Sequence, residues 1–187
     1  MRVDKLKKDY DLDVEWKPFE IHPELPPQGV PRRALPSNEY MRAAAENVRR
    51  LAEDCGLTLR QPSVIANSRL ALAAAEFARD HGRFEDFHRR VFQAYYQEDQ
   101  NIGDLSVLQQ IGSEVGLDPA ELAKALAEQR YEPLFIKIRR EIEEYGITGA
   151  PTFLFDGKYR IVGAQSYDVF QQTLARIEEL KRREDRP

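Results

Sequence analysis

Cysteine is nearly absent from this chain, with one residue, Cys55, among 187. A lone thiol excludes an intrachain disulfide and fits a reducing, cytoplasmic setting. Long apolar runs are missing too. No stretch approaches the ~18 residues that span a bilayer, and MRVDKLKKDYD carries basic residues with no apolar run behind them, so neither a membrane segment nor a secretory signal is expected. Neither sign of charge dominates: 28 Lys and Arg stand against 32 Asp and Glu, and the pI is near 5.5. With no long block of like charge, there is no general electrostatic reason to bind nucleic acid. The three histidines, His22, His81 and His88, fit no metal-ligand spacing and read as helix-end and surface residues, so no metal is expected.

What is present describes a globular protein. Hydrophobic residues make up 42% and charged residues 32% of a length that fits one domain, or one domain carrying a large insertion. Along residues 1–10, Val3, Leu6 and Tyr10 share a helical face, with Lys5, Lys7 and Lys8 opposite and near the C-terminal end, where cations suit the dipole. Leu12, Val14 and Trp16 alternate with Asp13, Glu15 and Lys17, which predicts a half-buried strand ending at Pro18. Residues 21–36 are too rich in proline for regular structure and read as an extended connection.

Residues 37–146 read as helical throughout, without a strand. Ser37 or Asn38 caps a helix to about Asp54, with Met41, Ala44, Ala45, Val48 and Leu51 inward and Gly56 at its end. A second helix starts at Asn67, and a third carries the stripe Phe84, Phe87, Val91, Phe92, Tyr95, read as core. Asp104 opens a fourth, Asp118-Pro119-Ala120-Glu121 a fifth, and another covers 132–145, where the charges of Arg139 to Glu144 read as a solvated face. Gly146 then ends the helical pattern, and Gly149 and Pro151 bracket a loop into a strand at 152–155. Asp156-Gly157 predicts a two-residue type I′ turn, 158–162 a returning strand, and Ser166 the cap of a helix over 167–181 with Val169, Phe170, Leu174 and Ile177 on one face.

The words GITGAPTF and VGAQSYDVFQQTL, with EWKPFEIHPELPPQG near the start, resemble the DsbA family of disulfide oxidoreductases, and within it the FrnE-like branch. The resemblance covers almost the whole chain. It implies an α/β fold, thioredoxin-like (DsbA-like), with a large all-helical insertion: residues 1–36 and 147–187 form the thioredoxin-like part and 37–146 the inserted domain. In that family the proline matching Pro151 follows a cis peptide bond and sits against the redox cysteines, where the preceding backbone pairs with an extended substrate. Gly149, Ala150, Pro151 and Thr152 are therefore the implied substrate-binding residues, for a polypeptide or a small thiol.

The family also places a C-x-x-C at the start of its first helix, where the dipole and free N–H groups stabilise a thiolate. These residues contain neither that pair nor the strand before it, so the opening strand and the start of the first helix are expected to be missing and the chain to be inactive alone. Cys55 is a poor substitute, because it sits at a helix C-terminus where the dipole opposes a thiolate. The vacant strand position falls between 12–16 and 152–155. Unpaired backbone there calls for self-association into a homodimer, or for direct pairing of the two strands. A second reading is a relative of the kappa glutathione transferases and 2-hydroxychromene-2-carboxylate isomerases, and a third a redox-inactive binding protein. No cofactor is expected under the first and third readings, and glutathione enters only under the second.

Overall fold

Apolar residues at helical spacing over 69–144 and alternating residues over 152–162 build two compact units in the structure, a computed structural model that describes residues 2–34 and 38–184, without the side chains of Arg2, Tyr40, Met41 and Glu184. One unit comprises residues 1–16 and 146–187, the other 17–145. Ser37 as a cap, Pro36 as a boundary and the inward side chain of Met41 lie outside the described residues.

The larger unit holds α2 (Glu39–Glu53), α3 (Arg69–Asp80), α4 (Phe84–Tyr96), α5 (Leu105–Glu114), α6 (Pro119–Ala127) and α7 (Glu132–Glu144). Side-chain acceptors cap α5 and α6: Asp104 takes the Ser106 N–H at 2.8 Å, and Asp118 takes those of Ala120 and Glu121 ahead of Pro119. Ala74, Phe77 and Ala78 of α3, Phe87, Val91 and Ala94 of α4, Leu108 and Ile111 of α5 and Leu122 and Ala125 of α6 form its core. Three apolar positions expected inside are not, and one of them is Ala44, exposed on α2. Phe92 is 51% exposed because Val91 and Phe87 already define the buried stripe and the next residue turns about 100° away. Val48 is 44% exposed, and Ala52 is the buried residue of α2 among those described.

Residues 17–34, grouped from sequence with the thioredoxin-like part, belong by their contacts to this helical unit. Arg69 of α3 explains one end, pairing with Glu20 and with Glu132 and lying 4.1 Å over the Phe135 ring. Arg139 and Glu141 of α7 reach Glu20 and Lys17 rather than forming only a solvated face. At the other end Asn67 and Asn101 donate to the carbonyls of Leu25 and Gln28. The connection is also not wholly irregular, and 37–146 is not without a strand: β1 (Val30–Pro31) pairs antiparallel with β2 (Val64–Ile65). That ladder needs Gly29 at φ +72°, where an added Cβ would lie 2.5 Å from the Ile65 carbonyl.

The smaller unit holds α1 (Arg2–Asp9), β3 (Thr152–Phe155), β4 (Tyr159–Val162) and α8 (Tyr167–Glu184). Residues 12–16 are not a strand. They keep the alternation of half-buried and exposed positions, but no ladder holds them, and they do not pair with β3. Alternation reports which side chains meet a surface, whereas a strand also requires a hydrogen-bonding neighbour.

The hairpin differs by one residue from the expected turn. Asp156 and Gly157 have positive φ and Lys158 N–H bonds the Phe155 carbonyl at 3.0 Å, yet the ladder resumes with Phe155 opposite Tyr159. Lys158 is thus a third loop residue, and Phe153 faces Ile161. A two-residue register would have set Phe153 opposite Arg160 and turned Ile161 to the other face. Leu6, Ile161, Phe170 and Leu174 close the core, with Phe153 edge-on to Phe170 at 4.8 Å.

Two glycines separate close backbone approach from conformational freedom. Gly56, at φ +70°, has nothing within 4 Å of an added Cβ, so Gly56→Ala should cost about 1–2 kcal/mol from the left-handed conformation alone. Gly29→Ala should cost more, roughly 2–3 kcal/mol, because the Ile65 carbonyl must also move. Urea denaturation measures both, and equal losses would show that β2 yields without cost.

Candidate functional site

The loop before β3 is pinned at both ends by residues of the hairpin. Gly146 turns the chain at φ +58°, and its carbonyl accepts from Arg160 Nη1 at 2.9 Å. At the far end the Pro151 carbonyl accepts from Gly163 N–H at 2.8 Å. Between them the Ala150–Pro151 peptide is cis, and Thr152 Oγ1 donates to the Gly149 carbonyl at 2.6 Å. Ala150 and Pro151 are exposed, Gly149 and Thr152 half-buried. Gly149, Ala150, Pro151 and Thr152 thus form one turn whose exposed side is backbone and small side chain.

The hydrogen-bond pattern gives this turn a direction. Pro151 and Gly163 form a bonded pair, so the alternation of an antiparallel ladder turns the N–H and C=O of Thr152 and Leu154 away from β4. Among the described residues these groups have no backbone partner, and β3 pairs on one side only. An extended chain can add to such an edge through main-chain bonds alone. The outer face beside it carries Leu154 and Val162, 37% and 50% exposed.

Arg160 and Gly163 escaped sequence reasoning. Counting the register from the Asp156-Gly157 turn would have found Gly163 opposite Pro151 only with the extra loop residue included.

Tyr167, the first residue of α8, ties that helix to α1: its hydroxyl donates to Asp9, and Lys5 Nζ lies 3.9 Å over its ring. Packing that shields the phenol, together with the Asp9 carboxylate, pushes its pKa up to about 12. No thiol lies in this unit, since Cys55 is exposed beyond the end of α2. The histidines lie in the helical unit. His22 contacts Glu24 at 3.0 Å in an exposed turn, His81 bonds the Phe77 carbonyl at a helix end, and His88 is half-buried between Phe84 and Phe92, where burial pulls its pKa down. Among the described residues no three His, Cys, Asp or Glu could together hold a metal ion, and no helix is long and apolar enough to cross a membrane.

The profile of the DSBA-like thioredoxin domain family matches residues 1–175. The chain belongs to the DSBA-like thioredoxin domain family, with a single cysteine. It is 36% identical over 171 residues to the uncharacterized protein YwbO of Bacillus subtilis (strain 168), covering 90% of this chain and 84% of YwbO. It is similar to the crystal structure of a probable DsbA oxidoreductase from Streptomyces coelicolor, with TM-score 0.74 and 25% identity over 84% of this chain and 72% of that one. A structure from Nitrosomonas europaea shares the fold at TM-score 0.59 and 13% identity, over 81% of this chain and 79% of that one.

Because the folded pKa of Tyr167 lies above the ordinary ~10, the neutral phenol is the form the fold favours. Its stabilisation should be complete below pH ~10 and fade as pH rises through the folded value. Stability measured by denaturant unfolding should therefore fall less steeply between those pH values in Tyr167→Phe than in the wild type. Parallel curves would show that this hydroxyl plays no part.

Proposed function

We propose that the chain is of the FrnE-like branch of the DsbA-like oxidoreductases, and that its Gly149–Thr152 turn and the open edge of β3 bind an extended polypeptide, or the backbone of a small thiol compound. The observation that carries this is the unpaired edge running on from Pro151, with Thr152 and Leu154 presenting N–H and C=O away from β4. Main-chain pairing accepts many sequences, which suits a protein acting on varied thiol-bearing chains. In the absence of peptide the same edge pairs with a second copy, giving a homodimer that dissociates on dilution in a sedimentation series. The setting is cytoplasmic, with no cofactor.

By itself the chain does not exchange disulfides. Exchange requires a thiolate to attack one sulfur of a disulfide, expelling the other as thiolate, and a second thiolate to release the mixed disulfide. Cys55 has no second cysteine within these 187 residues. In an insulin-reduction assay with dithiothreitol, the chain should not exceed background, and Cys55→Ser should behave identically. A clear rate that this substitution removes would overturn the reading of Cys55.

Peptide binding has its own signature. When reduced, carboxymethylated insulin B chain is added, the amides of Thr152 and Leu154 should gain hydrogen-exchange protection, while those of Phe153 and Phe155, already turned toward β4, should not. Uniform protection along the strand, or none, would contradict edge pairing.

A further inference from the structure

We propose that a groove in the helical unit, between the first turns of α4 and the end of α5, binds a small oxyanion of the phosphate class. The groove has a volume of about 450 Å³ and is lined by Arg83, Asp86, Arg89, Arg90, Gln93, Glu114 and Val115. Helical spacing gathers these side chains: Arg83, Asp86, Arg90 and Gln93 recur at intervals of three and four, with Arg89 alongside. The wall across from them is the last turn of α5.

Donor and acceptor accounting points to an anion. Arg90 is the fixed floor, its Nε bonded to Glu114 Oε2 at 2.5 Å and its Nη2 to Glu98 Oε2 at 2.9 Å. Its Nη1 is buried without any acceptor, which marks a place one acceptor short. Glu114 does not fill it: its oxygens accept from Arg90 Nε and from Gln110 Nε2, and Nη1 bonds neither. Among the described residues Arg83 and Arg89 have no ion-pair or hydrogen-bond partner for their guanidinium groups. Asp86 is the only lining carboxylate left free, so three guanidinium groups with unfilled donors face a single free carboxylate.

Two features favour an oxyanion over other ligands. Guanidinium N–H groups match paired oxygens in a plane, and a buried or half-buried guanidinium gains from an acceptor carrying charge. The groove also opens at the start of α4, where unpaired N–H groups and the dipole add a partial positive charge. Asp86 opposes the same ligand and sets a ceiling on affinity. The free carboxylate and the compensated Arg90 predict a weak, selective site rather than a general polyanion surface.

The full chain should be titrated with inorganic phosphate, against sodium chloride at matched ionic strength, and followed by amide and arginine Nε resonances. Saturable shifts confined to residues 83–93 and 114–115 are expected with phosphate and not with chloride. Arg83→Gln combined with Arg89→Gln should weaken binding at least about tenfold, as expected for loss of charge-assisted bonds. Asp86→Asn should tighten it, and circular dichroism would verify that both variants keep their helices. Linear shifts without saturation, shifts equal with chloride, or binding unchanged in the double variant would each overturn the proposal.

Discussion

The β3–β4 register is the constraint on which the smaller unit depends. One additional residue in the turn, Lys158, decides the parity of the whole returning strand, and parity decides whether Ile161 meets Phe153 or is turned to the opposite face. With Ile161 inward, Leu6, Phe170 and Leu174 have something to close upon. The same register sets Gly163 opposite Pro151 and leaves Thr152 and Leu154 with outward backbone groups. Core and candidate site are therefore two faces of one choice: the alternation that turns Phe153 and Phe155 toward the core also defines the open edge.

The helical unit rests on a different kind of constraint, the anchoring of a proline-rich segment that lacks periodic structure of its own. Close backbone contact at Gly29, and side-chain amides from Asn67 and Asn101, replace the ladder bonds that segment does not make. Arg69 adds a charged and aromatic clamp, joining Glu20 to Glu132 and Phe135. Such partly buried pairs stabilise the native arrangement less by net energy than by making alternatives leave a charge unpaired. This anchoring is why the boundary between the units falls at residue 16 and not after the prolines.

A fold shared with disulfide oxidoreductases carries no activity by itself; chemistry resides in the groups placed on it. Here the turn before β3 is held at both ends by hydrogen bonds, to Arg160 at one end and to Gly163 at the other. The thiol chemistry has no counterpart in it, since Cys55 lies in the other unit at an exposed helix end.

Local chemistry made much of this protein legible from sequence alone. Asp104 and Asp118 announce their helices because a short side-chain acceptor next to free N–H groups needs no distant partner. Gly146 and the Asp156-Gly157 pair announce turns because few residues tolerate positive φ. The turn from Gly149 to Thr152 was recognisable by its resemblance to a family. Tertiary structure decided the rest, where the outcome depends on partners far along the chain. Residues 12–16 alternate as a strand does, but a strand exists only beside another. Phe92 lies on an apolar stripe, but which edge of that stripe is covered depends on α3 and α5. Val30 and Ile65, 35 positions apart, meet because Gly29 lets two backbones touch, and composition within either segment does not predict that contact.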